Sequence, residues 1–392
     1  VVLVILPILF LKNLFVYFCL FVFVSTNAFC VVNSKTVDYV ANEKNVRTLG
    51  RTYFDNDILW AIYSSSGVEF NIKAKRLDVA IKGDSYAKVS SANGQTNLAR
   101  MVVFVNGERK LDELILKQDQ TFTVFDQKDE IEGVVQIIKI SEVSSSVAGI
   151  KSISVDKKGK IWPTEAKSRR IEFIGDSITC GYGIDDENRN HHFSTATEDN
   201  TKTYAYKTAA ALKADYSMVS ISGWGVISGY TSNPNQKSSG QLIPKYYDKL
   251  GFCYNTFDGK IAQEIDWDFN KFKSDVVVIN LGTNDNSYCG SSSNKRLEFR
   301  QGYKDFIKLV REKNPEAQIL CVLGLMGSDL FGEINAAVKE FKAETNDKKV
   351  SVLRLNSQIE SDGIAADWHP TERTNKKAAT TVILEIKKLM GW

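Results

Sequence analysis

From Val37 to Val155, apolar and polar residues alternate with a period of two. Val68, Phe70 and Ile72 share one face, as do Leu77, Val79 and Ile81, and Val134, Gln136, Ile138 and Ile140 line another. Turn formers interrupt the pattern at Gly67, Gly83, Asn106-Gly107 and Gly133. Alternate side chains of a strand point to opposite faces, so residues 33–155 are predicted to form an antiparallel β-sandwich without a long helix. Past Arg170 the pattern changes. Apolar runs at Ile171–Ile174, Met218–Ile221, Val276–Leu281, Ile319–Leu325 and Val350–Leu355 alternate with segments of helical spacing. Phe299, Tyr303, Phe306, Ile307 and Val310 form one such segment, and Ala379, Val382, Ile383, Ile386 and Met390 another. This alternation predicts a parallel sheet with helices on both faces, a three-layer α/β domain over residues 171–392. Residues 156–170, charged and carrying Gly159 and Pro163, read as the linker between the two. A ligand crevice in such a sheet lies at the carboxyl ends of the strands.

The first 28 residues differ in kind. They carry one charge, Lys12, ahead of an unbroken apolar run from Leu14 to Val24, with small residues at Thr26 and Ala28. The run is short for a transmembrane helix and suits a signal peptide cleaved after Ala28, which predicts a secreted protein with no membrane association after cleavage. An uncleaved anchor that includes Val1 to Phe10 is the alternative. Composition adds little beyond exclusion. Fifty Lys and Arg are interleaved with 47 Asp and Glu for a net charge of +3, so there is no basic stripe for nucleic acid. The six cysteines show neither CxxC pairing nor metal-ligand spacing, which leaves a metal site without support. One or two disulfides are open to a secreted chain.

Three polar clusters stand at predicted strand ends. Gly175-Asp176-Ser177 follows the first strand, Gly282-Thr283-Asn284-Asp285 the third, and Asp367-Trp368-His369-Pro370 precedes the last helix. Taken singly, Gly-Asp-Ser is a common turn or helix cap, and Asn284 a common turn residue. A serine cannot attack an ester at neutral pH without a base, and histidine is the usual one. Of the three histidines, His191 and His192 lie in a polar, Asn-rich loop, which leaves His369. Asp367, two residues before it, is placed to accept a proton from the other imidazole nitrogen and hold the tautomer.

These blocks, with a glycine after the second strand in Val219-Ser-Ile-Ser-Gly-Trp-Gly225, resemble in order the four blocks of the SGNH (GDSL) hydrolases. The resemblance implies a flavodoxin-like three-layer fold, with Ser177 as nucleophile and His369 as base. It also implies an oxyanion hole formed by the backbone amides of Ser177 and Gly223 and the side chain of Asn284. More narrowly, Gly-Asp-Ser-Ile-Thr followed by Gly181-Tyr-Gly183, together with a preceding sandwich, is similar to carbohydrate esterase family 2, whose N-terminal domain is a jelly roll. Some members of that family have the Asp two residues before the His, and some use a Ser-His pair without a functional Asp. The family implies an extracellular enzyme, free of cofactors, that removes O-acetyl groups from plant polysaccharides such as acetylated xylan or mannan.

Trp224 and Trp368 flank the oxyanion glycine and the histidine, as rings for stacking on sugar or as core. Two other functions compete. A lipid-acting GDSL esterase would present an apolar lid, whereas residues 188–201 and 287–294 are rich in Asn, Ser, Thr and charge. A non-catalytic carbohydrate-binding protein would have no need of Ser177, Asn284 and His369 together.

Overall fold

The structure, a computed structural model, describes residues 36–88 and 97–392. The predicted signal segment lies outside the described residues. In the N-terminal half, β1 (Thr36–Tyr39), β2 (Arg47–Leu49), β3 (Thr52–Asp55), β4 (Ile58–Ala61), β5 (Ser66–Gly83), β6 (Arg100–Val105), β7 (Glu108–Leu114), β8 (Asp119–Lys139), β9 (Ala148–Asp156) and β10 (Lys160–Pro163) form one antiparallel sheet. Its order is β3-β4-β9-β5-β8-β6-β7, with β1 on β9 and both β2 and β10 on β5. The long strands β5 and β8 carry the fold. Along β5 the core side chains are Val68, Phe70, Ile72 and Ala74, then Leu77, Val79 and Ile81. The pairing with β8 shifts between Ala74 and Arg76 and between Leu77 and Asp78. These bulges move the buried set from even to odd positions and let one strand line the same core along its whole length. Asn106 and Gly107, both at positive φ, make the two-residue hairpin between β6 and β7.

The C-terminal half contains β11 (Arg170–Gly175), β12 (Asp215–Ser220), β13 (Val276–Asn280), β14 (Gln318–Leu325) and β15 (Val350–Ser357), all parallel, in the order β12-β11-β13-β14-β15. Its helices are α1 (Ser177–Cys180), α2 (Tyr204–Ala211), α3 (Thr283–Cys289), α4 (Ser293–Lys313), α5 (Phe331–Thr345) and α6 (Glu372–Met390). Alternation within the strands sorts the two faces. Ile174, Val277 and Ile279 join the core beneath α4 and α5, and Ile171, Phe173, Val276 and Val278 join the core beneath α2 and α6. Each fully buried aliphatic side chain contributes roughly 1.5–3 kcal/mol. None of the described helices is long and apolar enough to cross a membrane.

The two halves share both cores. Trp60, Ile62, Tyr63 and Val143 pack with the α4–α5 face, while Leu49, Val102, Ile138 and Ile140 pack with the other. The expected face Val134-Gln136-Ile138-Ile140 is corrected accordingly. Val135 and Ile137 face the interior of the β-domain, Val134 is exposed, and Ile138 and Ile140 are buried because the α/β half covers that end of β8. The expected linker 156–170 is also corrected in part, since Lys160–Pro163 is strand β10, paired with β5. Cys180, Cys253, Cys289 and Cys321 are buried free thiols, so the disulfides open to a secreted chain are not formed among them.

Candidate active site

Strand β11 ends at Gly175, where a Cβ would lie 2.1 Å from Thr179 Oγ1. A larger residue would collide with the Thr179 side chain, so glycine is what lets α1 pack this closely on the strand end. Asp176 caps α1 by accepting the Ile178 N–H, and Gly181 at φ 90° ends the helix after one turn. Ser177 is the first helical residue, so its N–H has no partner within the helix. The segment between β15 and α6 brings His369 to the same edge of the sheet, with Thr371 capping α6. His369 Nε2 lies 2.8 Å from Ser177 Oγ. Its Nδ1 lies 3.0 Å from the Ala366 carbonyl, which can only accept. Nδ1 therefore carries the proton, and the lone pair on Nε2 faces the serine hydroxyl. Burial of the imidazole lowers its pKa to about 4, against the Ala366 carbonyl and the Asp367 charge, which raise it.

The expected Asp367–His369 contact is not formed. Asp367 and Trp368 both adopt left-handed backbone, at φ 46° and 64°, which turns the carboxylate away from the ring. Asp367 Oδ1 lies 2.8 Å from Nδ1 of exposed His192, and Oδ2 accepts the Tyr182 hydroxyl. Burial pushes the Asp367 pKa up, but the bonds from Tyr182 and His192 outweigh it and leave the carboxyl below its usual range.

The residues after β12 form the second wall. Gly223 is at φ 78°, its carbonyl accepts the Tyr230 N–H at 2.7 Å, and the space a Cβ would take is open. The carboxylate of Asp285, fully buried in α3, gathers the backbone N–H groups of Val226, Ile227 and Ser228 at 2.7–3.0 Å. Burial raises its pKa to about 6, and those three N–H groups act against the rise. Asn284 Nδ2 donates to the Trp224 carbonyl at 2.9 Å and weakly to Asp176 Oδ2 at 3.4 Å. Burial also raises the Asp176 pKa, to about 7. The structure thus brings Ser177, Gly223, Asn284 and His369 to one edge of the parallel sheet, around a base with a defined tautomer. This is the arrangement that acyl transfer requires.

Residues 173–377 match the GDSL-like lipase/acylhydrolase family model, and residues 48–165 match the N-terminal domain model of carbohydrate esterase 2. The chain belongs to the GDSL-like lipase/acylhydrolase family. It is 24% identical to an acetylxylan esterase/glucomannan deacetylase of Cellvibrio japonicus, over 92% of this chain and 93% of that protein. It is 32% identical to the cellulase/esterase CelE of Acetivibrio thermocellus over 67% of this chain, a match that spans only 31% of CelE. A family two carbohydrate esterase from Clostridium thermocellum, solved in complex with cellohexaose, superposes with a TM-score of 0.74 at 28% identity, covering 88% of this chain and 99% of that one.

The two candidate sugar-binding tryptophans of this acylhydrolase, Trp224 and Trp368, part company. Trp224 is 1% exposed and packs on Tyr246 and Phe252, so the expected sugar-binding ring is core. Trp368 is 54% exposed beside His369, with the Arg189 guanidinium 4.5 Å from its ring centre. Tyr230 and Tyr254 are also exposed. A cavity of about 440 Å³ lies elsewhere, lined by β-domain residues such as Asn42, Lys44 and Phe54 together with Lys271, and includes none of these site residues.

Sequence reasoning assigned no role to three residues that the structure joins to the site. Asp285 stands in its block with nothing to mark it as the acceptor for the N–H groups of Val226, Ile227 and Ser228. Tyr182, in the Gly-Tyr-Gly motif, stacks on His369. Glu142, from the β-domain, accepts the N–H of Ser222 at 3.0 Å, next to Gly223, and nothing in the local pattern marks it. Behind the serine, Glu142, Cys180 and Glu198 place potential ligand atoms within 4.8 Å of one another. The buried Lys139 ammonium neighbours this group and donates to the Ser141 and Glu142 carbonyls, and burial lowers its pKa to about 8.

Proposed function

We propose that this chain is a secreted serine esterase that removes O-acetyl groups from plant polysaccharides such as acetylxylan and acetylated glucomannan. The observation that carries the reading is the 2.8 Å Ser177–His369 contact with the proton on Nδ1, in a chain alignable almost end to end with an acetylxylan esterase/glucomannan deacetylase. Ser177 Oγ attacks the acetyl carbon and its proton passes to Nε2, while the carbonyl electron pair moves onto oxygen. The N–H groups of Ser177 and Gly223 would receive that oxyanion together with the Asn284 amide, which gives up its long bond to Asp176, each donor being worth about 2.7–4 kcal/mol of barrier. Collapse breaks the bond to the sugar oxygen, which takes the proton from Nε2. Water then attacks the acetyl-serine by the same route, releasing acetate and returning the proton to Oγ. The Ala366 carbonyl orients the imidazole in place of a carboxylate.

The exposed aromatic side chains of Trp368, next to His369, and Tyr230, bonded through its N–H to Gly223, support a polymer substrate, since flat rings stack on pyranose faces. Acetate release from acetylxylan, acetylated glucomannan and an aryl acetate tests the proposal, with longer acyl esters as controls. Release by the parent and its loss in Ser177→Ala are expected. Rates that rise with acyl length would turn the reading toward lipids, and undiminished release by Ser177→Ala would overturn it.

A further inference from the structure

The imidazolium that forms during acyl transfer meets no carboxylate at Nδ1, because the Ala366 carbonyl occupies that position. The face of the ring is covered instead. Tyr182 lies parallel to His369, with ring centres 3.9 Å apart and planes 16° apart, and the Phe193 ring, tilted by 35°, packs on the tyrosine at 4.8 Å. The Tyr182 hydroxyl donates to Asp367, whose second oxygen meets Nδ1 of His192. A phenol donating to a carboxylate gains electron density over its ring, and an electron-rich ring face attracts a cation held against it.

We propose that Tyr182 and Asp367 act as one positioning unit, in which Asp367 polarises the Tyr182 ring and that ring holds and stabilises the His369 imidazolium. Asp367 thereby supports the base through the Tyr182 ring face, alongside the direct attraction of its charge and without a bond to Nδ1. The neutral imidazole gains less than the imidazolium from this contact, so its effect falls on the step that charges the base. The inference rests on the reading of Ser177 and His369 as the catalytic pair. The charged and titratable groups around the ring are few. Asp367 and Tyr182 face it, Ser177 lies at Nε2 with Asp176 preceding it, His192 stands behind Asp367, and Glu142 acts on Tyr182 at longer range.

The test is a pH profile of kcat/KM on an aryl acetate for the parent, Tyr182→Phe, Asp367→Asn and the double variant. The His369 ring is titrated by NMR in parallel, which is tractable with three histidines in the chain. Both single substitutions keep the shape of the side chain. Each is expected to lower kcat/KM about 3- to 10-fold, with the double variant no worse than the poorer single one. The acid limb and the NMR titration should both move to lower pH, and the deciding variant is Tyr182→Phe, which leaves the Asp367 charge in place and removes only the polarised ring. A merely structural loosening would admit water and move them upward, toward the ordinary histidine value. An upward or absent shift, or fully additive losses, would overturn the proposal. The NMR titration reads the imidazole without turnover, so its downward shift would support the proposal even where the esterase reading failed for lack of activity in the parent.

Discussion

Arg51 joins the two halves of the molecule, and its removal should cost more than any other single truncation at that junction. The side chain is completely buried. Its guanidinium donates to the Tyr247 carbonyl at 2.8 Å and the Lys249 carbonyl at 2.6 Å, and faces Glu172 at 3.4 Å. The rings of Tyr63, Tyr247, Trp267 and Phe269 lie 5.2–5.8 Å from its centre. Glu172 stands on β11, the strand that ends at Ser177, and also accepts the Tyr247 hydroxyl at 2.6 Å and the Ser217 hydroxyl at 3.1 Å. Arg51→Ala strands that buried carboxylate, a change that costs about 3–5 kcal/mol. Part of the loss is offset, because Arg51 itself leaves a buried Nε without a partner. Against a typical stability of about 5–15 kcal/mol, the remainder is a large fraction. Adding Glu172→Gln removes the stranded charge and keeps one oxygen acceptor for the Tyr247 or the Ser217 hydroxyl, with the amide N–H donating to the other, so the double variant should recover about 1–3 kcal/mol relative to the sum of the single changes. Urea unfolding monitored by tryptophan fluorescence measures all four proteins. A loss below about 1 kcal/mol in Arg51→Ala, or strict additivity with Glu172→Gln, would refute the reasoning.

Burial holds the His369 pKa near 4, and in the proposed mechanism the neutral ring is the base. Activity should therefore persist as pH falls, with the acid limb of kcat/KM well below the ordinary histidine value of about 6.5; a limb at 6.5 or higher in a pH-rate profile would contradict this. Asn284→Ala should lower kcat by about 10²–10³-fold with a smaller change in KM, as measured on an aryl acetate. Glu142→Ala leaves the half-buried Ser222 N–H without its acceptor, at about 1 kcal/mol, and thermal unfolding should show the loss alongside a fall in kcat. Trp368→Ala should raise KM on acetylated polymer several-fold and leave aryl acetate hydrolysis nearly unchanged, and equal effects on both substrates would remove the sugar-stacking role.

Much of this molecule was legible before any contact was known. The period-two alternation of Val68, Phe70 and Ile72 and the helical spacing from Phe299 to Val310 each follow from which face of a local element is apolar. Glycines that turn the chain after a strand marked where Ser177, Gly223 and Asn284 would stand. The sequence therefore determined the two fold classes, the edge of the sheet where the polar blocks gather, and the serine and histidine that meet there. The partner of Nδ1 was decided elsewhere. Asp-x-His spacing says nothing of backbone sign, and two consecutive left-handed residues, Asp367 and Trp368, deliver a carbonyl to the imidazole and send the carboxylate to Tyr182 and His192. Nor could residue type distinguish Trp224 from Trp368, because what buries Trp224 is Tyr246 and Phe252, brought in by an aperiodic segment. Glu142 reaches the oxyanion loop from 80 residues away in sequence. Periodicity records how an element divides water from core, whereas the direction of a buried polar group depends on partners that meet only when the chain is folded.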